Sequence, residues 1–132
     1  MEPRISVVTL AVTDMGRSIR FYAEGLGLPY RDDKPPVAYF QLVGTWLALF
    51  PQDELANYAG LSGQNRCFGG ITLSCNVADR DTVDQALNQA AAAGGRIIKA
   101  AQSLSYGGYA GWFADPDGHA WEITWNPNPF IA

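Results

Sequence analysis

The sequence is poor in the residues from which most metal and redox sites are built. Among its 132 residues there are two cysteines and one histidine. Cys67 and Cys75 do not have the close spacing of a metal-binding or thiol–disulfide motif, so we expect both thiols to be reduced. These features exclude a cysteine-based metal or redox motif.

Positive charge and long apolar runs are also scarce. The formal net charge is −4, the isoelectric point is about 4.7, and no run of lysine and arginine occurs, which argues against a nucleic-acid or membrane partner. No stretch approaches the ~20 apolar residues of a membrane span, and the first residues lack a signal-peptide pattern. Since 48% of the residues are hydrophobic and 17% are charged, we expect a folded, cytoplasmic protein.

The sequence predicts the same order of strands and helix in its two halves. Each half predicts a strand, a helix and three short strands, with Asp14 and Asp79 as the helix caps. The predicted strands cover 5–12, 29–31, 37–42, 45–50, 70–77, 96–100, 109–114 and 120–125. The predicted fold is therefore α+β, a single domain of two βαβββ modules, 1–51 and 69–130, joined by a connector, 52–68. We expect a curved, partly open mixed sheet with a concave cleft and helices on the outside.

The two copies can be aligned by their own strand ends and turns. The aligned positions are Val12 with Val77 and Gly44 with Gly118. Counting from these pairs, Val7 corresponds to Thr72, and Ala48 corresponds to Glu122. Since side chains alternate along a strand, we expect these four residues on the face opposite the helices.

The closing segment GWFADPDGHAWEITWNP predicts a strand, a tight turn and a second strand. The residues of Asp115-Pro116-Asp117-Gly118 are those that β-turns favour. In the strand that follows, Glu122 and Thr124 alternate with an apolar set. Burying a carboxylate without a partner is costly. Glu122 therefore either lies exposed without a function or faces a cavity that uses it.

Three segments resemble the vicinal oxygen chelate family: the start VTLAVTDM, the following FYAEGLGL and the closing FADPDGHAWEITWNP. That family includes glyoxalase I, fosfomycin-resistance thiol transferases, extradiol dioxygenases and bleomycin-resistance proteins. The resemblance covers nearly the whole chain and implies the two-module fold. It does not imply one activity, because one fold hosts many chemistries.

The resemblance also implies where a metal would be held. Enzymes of the family bind a divalent metal through His, Gln or Glu at four positions, which here are Val7, Ala48, Thr72 and Glu122. Only Glu122 is a competent ligand, whereas a stable transition-metal site needs three or four protein ligands. We therefore expect no metal or other cofactor. A divalent metal held by ligands from another strand or a partner chain is the disfavoured alternative.

The cleft predicted from strand alternation is largely apolar and aromatic, with a few polar groups and one acid. Its predicted lining residues are Val7, Thr9, Ala11, Trp46, Ala48, Phe50, Thr72, Ser74, Asn76, Glu122 and Thr124, with Tyr109 and Trp112 at one rim. This composition is typical of a small-molecule pocket. The alternative is that these side chains fill the concavity themselves and that Glu122 pairs with a hydroxyl or with an arginine such as Arg31.

The remaining histidine and cysteines have structural explanations. His119 lies three residues before Glu122, so we expect it at the turn and on the opposite strand face. Cys67 lies in the connector, and Cys75 is expected to pack beneath the second helix.

Two classes of function are consistent with these features. In the first, the protein binds a small organic molecule without a metal, as the family's bleomycin-binding members do. In the second, it is a glyoxalase-like lyase or isomerase in which Glu122 is a general acid or base, with metal assistance left open. In either case the resemblance implies a homodimer.

Overall fold

The computed structural model describes residues 1, 3, 5–59, 69 and 71–128. The chain divides into two compact units, residues 1–67 and 68–132. Each unit contains an open four-stranded mixed sheet with helices, which confirms the predicted α+β class. Within the described ranges, no helix is both long enough and apolar enough to cross a membrane.

The first unit has its first and last strands side by side. Its elements are β1 (Val7–Val12), α1 (Met15–Ile19, continued by a π-helical turn over Arg20–Gly25), β2 (Tyr30–Arg31), β3 (Ala38–Phe40), β4 (Trp46–Pro51) and α2 (Gln52–Ala59). The sheet order is β1-β4-β3-β2. β1 runs parallel to β4, and the other neighbours are antiparallel. The additional helix α2 lies in the predicted connector and packs on β4 and β1.

The second unit repeats this topology. Its elements are β5 (Leu73–Asn76), α3 (Arg80–Ala92), β6 (Arg96–Ser103), β7 (Tyr109–Ala114) and β8 (Ala120–Trp125). The sheet order is β5-β8-β7-β6, with β5 parallel to β8 and the other neighbours antiparallel. The predicted repeat of βαβββ modules is therefore confirmed. β5 is shorter than predicted, and position 70, where the predicted strand begins, lies outside the described residues.

Both crossover helices begin at the predicted aspartate caps. The Asp14 carboxylate accepts a hydrogen bond from the Arg17 backbone N–H at 3.0 Å. The Asp79 carboxylate accepts from the hydroxyl and the backbone N–H of Thr82, both at 2.7 Å. These two bonds, the hydroxyl first, lower the pKa of Asp79 below its usual value. Each cap satisfies a backbone donor that the first helical turn leaves unpaired.

Hydrophobic alternation decides which face of the first sheet is buried. The buried, helix-facing set is Leu10, Val12, Phe40, Leu47 and Leu49. The Phe40 ring lies 5.8 Å from that of Tyr22 in the π-helical turn, which places α1 over this face. Val7 alternates with this set and is 40% exposed. The face opposite α1 is thus the one that the sequence predicts to be open.

In the second unit α3 packs directly on the sheet. Val83, Leu87 and Ala90 are the buried residues of the helix, and Phe113 and Ile123 are buried in the strands. A side chain at position 111 would collide with Leu87 and would lie 3.0 Å from the Ala101 backbone. Gly111 therefore permits the close approach of the helix, which explains why β7 carries a glycine in its interior.

A buried carboxylate organises the turn between β7 and β8. Asp115 is 4% exposed, and its Oδ1 accepts hydrogen bonds from the backbone N–H groups of Asp117 and His119 at 2.9 and 2.8 Å. Its own N–H donates to the His119 carbonyl, and Gly118 follows with a φ of 91°. The predicted turn is confirmed, with Asp115 as its centre.

Replacing Asp115 is expected to weaken this turn. Asp115→Ala should lower the free energy of unfolding by about 2 kcal/mol, since two backbone donors lose a charged acceptor. Asp115→Asn is the matched control, because it keeps one side-chain oxygen that can accept both bonds. Urea denaturation measures both variants, and an alanine variant as stable as the wild type would contradict this role for Asp115.

Candidate functional site

Glu122 lies in the middle of β8, on the face opposite α3. It stands between Ser74 on the neighbouring β5 and Trp112 on β7. Directly opposite residues on adjacent strands share a face, so these three side chains form one row across the sheet. Lys99 on β6 is opposite Trp112, at a point where the β6–β7 register shifts on both sides of it. The chain brings together a hydroxyl, a carboxylate, an indole and an ammonium group.

The Glu122 carboxylate has one direct partner in the described part of the chain. The Ser74 hydroxyl donates a hydrogen bond to its Oε2 at 3.0 Å. Of the partners that the sequence suggests for this acid, the structure therefore selects a hydroxyl. Arg31 bonds instead to Asp33 and Gln41 within the first unit. Glu122 itself is half-buried, which leaves the carboxylate accessible to solvent.

A second row on the same face is more polar than aromatic. Asn76 is opposite Thr124, and Thr124 is opposite Ala110. Thr72 lies just before β5 and is exposed. The open face of the second unit thus collects most of the polar residues predicted for the cleft.

Tyr109 is not on this face. It lies three residues from Trp112 in a strand with unbroken β7–β8 register, so its side chain points to the side that α3 covers. Its hydroxyl donates to Asp84 of α3 at 2.8 Å, and this bond raises the pKa of Tyr109. The Arg80 guanidinium lies 5.3 Å from the ring centroids of Tyr109 and Trp125. Our expectation that Tyr109 closes the rim beside Trp112 is corrected by this placement.

The open face of the first unit contains a row at the equivalent positions. Thr9, Ala48, Tyr39 and Arg31 are opposite one another across all four strands. By the alignment of the two copies, Thr9 corresponds to Ser74 and Ala48 corresponds to Glu122. In both rows the first residue carries a hydroxyl, the third carries an aromatic ring and the fourth is a cation. The second position differs, since it is Ala48 in the first unit and Glu122 in the second. Tyr39, Arg31 and Lys99 were not among the predicted lining residues. Strand alternation in β2 and β3 would have found Tyr39 and Arg31, whereas the irregular β6–β7 register around Lys99 hides that residue from alternation.

The predicted apolar residues of the first unit share this face. Val7 is opposite Trp46, and Ala11 is opposite Phe50. A shallow depression of about 580 Å³ is lined by Ile5, Ser6, Val7, Gly44, Thr45 and Trp46. The Phe50 ring stacks against Tyr58 of α2 at 6.4 Å, so α2 contacts one end of the face.

Arg31 is held above an aromatic surface. Its guanidinium lies 5.8 Å from the centre of the Trp46 ring, and the Tyr39 ring meets Trp46 edge-on at 6.4 Å. Nε and Nη2 donate to the two carboxylate oxygens of Asp33 at 3.4 and 3.2 Å, and Nη1 donates to the Gln41 side-chain oxygen at 3.3 Å. The bond from Arg31 is the main cause of the lowered pKa of Asp33.

The donor chemistry at the four family positions does not fit a resident metal ion. Val7 and Ala48 have no donor atom, and Thr72 offers only a neutral hydroxyl, which leaves Glu122 as a single anionic ligand. In the described ranges no group of three or more His, Cys, Asp and Glu side chains is close enough to hold a metal.

Histidine and cysteine do not add to this face. His119 lies three residues before Glu122, at the turn, where its backbone bonds to Asp115. Cys75 is opposite Ile123 on the helix-facing side, as predicted, and partial burial raises the pKa of its thiol. The residue is nevertheless exposed, because β5 is an edge strand, so the prediction that Cys75 packs beneath the second helix is wrong. Cys67 lies outside the described residues.

Comparison with known proteins gives one family. Residues 4–123 match the sequence model of the Glyoxalase/Bleomycin resistance protein/Dioxygenase superfamily. A solved structure of a glyoxalase-related enzyme from Fulvimarina pelagi is 34% identical, with a TM-score of 0.88 over 98% of this chain and 94% of that one. A superfamily enzyme from Burkholderia phytofirmans PsJN is 20% identical, with a TM-score of 0.82 over 92% and 98% of the two chains. Lactoylglutathione lyase from Agrobacterium tumefaciens is 19% identical, with a TM-score of 0.68 over 96% of both. The last two similarities concern the fold alone.

The Ser74–Glu122 hydrogen bond should contribute little to stability. We expect Glu122→Gln to shift the melting temperature by only a few degrees, since the hydroxyl can still donate to the amide oxygen. A double-mutant cycle of Ser74→Ala with Glu122→Ala, each of which removes the hydrogen bond, should give a coupling energy of about 1 kcal/mol or less. Thermal and urea unfolding measure both quantities.

The pair Thr124→Val with Glu122→Ala is the control and should be additive. Thr124 shares the face with Glu122 but lies in the next row. A collapse of the melting temperature in Glu122→Gln would show that the carboxylate is a structural group, not one kept for a ligand.

Proposed function

The chain belongs to the glyoxalase/bleomycin resistance protein/dioxygenase superfamily, and from this premise we propose that it binds a small organic molecule in a concave, largely apolar cleft without a resident metal. The observation that carries the proposal is the row Ser74–Glu122–Trp112 on an open sheet face. The Glu122 carboxylate is half-buried beside the Trp112 indole, and the Ser74 hydroxyl donates to only one of its oxygens. The carboxylate can therefore still accept a hydrogen bond from a ligand.

The chemistry of this row defines what the ligand offers to it. An ionised carboxylate only accepts hydrogen bonds, so the ligand presents a hydroxyl or a cationic nitrogen to Glu122. Trp112 stands directly beside Glu122 and provides a flat apolar surface for a ring or for the cation itself. The remaining predicted contacts in the second unit are Thr72 and Ser74, and those predicted on the open face of the first unit are Val7, Thr9, Trp46, Ala48 and Phe50.

The metal-free part of the proposal is supported by the donor set. One carboxylate with water would hold a transition metal too weakly to retain it. Ala48 occupies in the first unit the position that Glu122 occupies in the second, so the repeat does not supply a second carboxylate. The role of Glu122 in this proposal is to bind the ligand directly.

A second candidate function is catalysis by Glu122 as a general acid or base. It is favoured by the 34% identity to a protein described as a glyoxalase-related enzyme. In a lyase or isomerase reaction, the carboxylate would take a proton from the carbon next to a carbonyl and return it to another atom. Ser74 would then orient the carboxylate through the hydrogen bond to Oε2.

We also propose that the protein is a homodimer in the cytoplasm. The support is the resemblance to the family.

Replacing Glu122 should separate the two candidate functions. A thermal-shift screen with cationic aromatic compounds and glutathione conjugates identifies a ligand, and calorimetry then measures its Kd. For a binding protein, Glu122→Gln should weaken binding roughly three- to hundred-fold, because a charge-assisted hydrogen bond is lost. For an enzyme, the same change should abolish turnover of a converted ligand and leave its binding nearly unchanged.

Glu54→Gln is the matched control, since it removes the same charge from the exposed surface of α2. It should change neither binding nor turnover. If Glu122→Gln binds every ligand from the screen as tightly as the wild type does, and converts any substrate at the same rate, the proposed role of Glu122 is wrong.

Metal uptake is the test of the metal-free part. After purification without added metal and titration with Zn²⁺, Mn²⁺ and Ni²⁺, we expect far less than one equivalent to remain after dialysis, since only one competent ligand is available. Elemental analysis measures the content, and Glu122→Gln should reduce any residual uptake further. Stoichiometric metal that survives dialysis would refute this part of the proposal.

A further inference from the structure

From the geometry around Arg31, we infer that the open face of the first unit binds a small molecule through its carboxylate group, with Arg31 as the residue that selects the charge and Trp46 as the surface for an adjoining apolar body. This inference rests on the proposed binding function and names the chemical class of the ligand. It concerns residues of the first unit only.

Arg31 has a cationic counterpart in the other copy of the repeat. Arg31 and Lys99 occupy equivalent ends of the two matched rows, each opposite an aromatic residue, Tyr39 in one unit and Trp112 in the other. In a chain with net charge −4, a cation beside an aromatic ring at the same place in both copies is a repeated feature of the open faces.

Trp46 lies between Arg31 and the shallow depression of the first unit. The centre of its ring is 5.8 Å from the Arg31 guanidinium carbon, and the residue also lines the depression together with Val7. The depression is open, so it offers an apolar surface and not an enclosed pocket. An apolar group that lies on this surface would have a guanidinium next to Trp46 for its polar end.

Arg31 is paired with the Asp33 carboxylate. Its Nε and Nη2 approach the two oxygens of Asp33 at 3.4 and 3.2 Å, the side-by-side geometry that a guanidinium adopts with any carboxylate. The two side chains are 46% and 49% exposed. Exposed ion pairs contribute little to stability, so a ligand carboxylate can replace Asp33 at small cost. Asp33 thus occupies the place of the ligand's anionic group in the free protein.

The stacking on Trp46 and the bond to Gln41 keep the guanidinium in place during this exchange. The Gln41 side-chain oxygen accepts from Nη1, which is not one of the two nitrogens that face Asp33. Arg31 therefore keeps an aromatic and a polar contact when its carboxylate partner changes. A lysine would offer no second parallel bond at this position.

The test compares three probes of one shape that differ in charge: 3-phenylpropionate, its neutral amide and 3-phenylpropylamine. Their Kd values are measured on the full chain by calorimetry at constant ionic strength, and the Trp46 indole N–H signal reports the location. We expect the carboxylate to bind roughly tenfold more tightly than the amide. Arg31→Gln should remove this preference, and Asp33→Asn should strengthen carboxylate binding several-fold without affecting the amide.

Two controls match these variants in charge. Arg17→Gln removes a cation from α1, and Asp32→Asn removes the carboxylate next to Asp33, so neither should change the preference.

The outcomes separate this inference from the proposed function. If the amide or the amine binds at Trp46 as well as the carboxylate does, the inference fails and the binding function stands. It also fails if Asp33→Asn weakens carboxylate binding, or if Lys99→Gln, not Arg31→Gln, removes the preference. If no probe and no compound of the wider screen binds, both are overturned.

Discussion

Each unit depends on a parallel pairing of its first and last strands. β1 lies beside β4, and β5 lies beside β8. The helix that follows the first strand crosses one face of the sheet to the strand at the opposite edge, and two antiparallel steps then return the chain to the last strand, beside the first. That helix buries one set of alternating side chains and leaves the other set open. The candidate functional residues are the members of this second set.

The repeat carries two different chemistries on one backbone plan. In the first unit the row Thr9–Ala48–Tyr39–Arg31 lies next to Trp46 and an apolar depression. In the second unit the equivalent row contains Glu122 in place of alanine and is surrounded by polar groups. Of the two equivalent positions, 48 and 122, only the second carries a carboxylate. The aromatic and cationic positions are filled in both.

This asymmetry explains why ligand binding is the function that the residues support best. A metal site requires several donors that converge on one point, and the family positions here offer a single anion. Recognition of a small molecule requires aromatic surfaces and a few directed polar groups. Glu122 with Ser74 and Arg31 with Trp46 satisfy that second requirement, each within its own unit.

The amino-acid sequence by itself determined the class of fold, the repeat, the helix caps and the turn at Asp115. These features depend on local chemistry: alternation along a strand, a side-chain oxygen before a helix, and turn-forming residues in a row. Alternation was also sufficient to place Glu122 on the open face. The prediction that Tyr109 and Trp112 close one rim together was wrong, because two residues three positions apart in a regular strand lie on opposite faces.

Tertiary structure alone decided which side chains contact one another. That Ser74, and not Arg31, bonds to Glu122 follows from the β5–β8 register, which joins residues 48 positions apart in the chain. The stacking of Arg31 on Trp46 and its bonds to Asp33 and Gln41 likewise depend on how β2, β3 and β4 align. Spacing along one strand tells which side of a sheet a residue occupies, but contact across strands depends on the pairing of distant segments, which local sequence patterns do not encode.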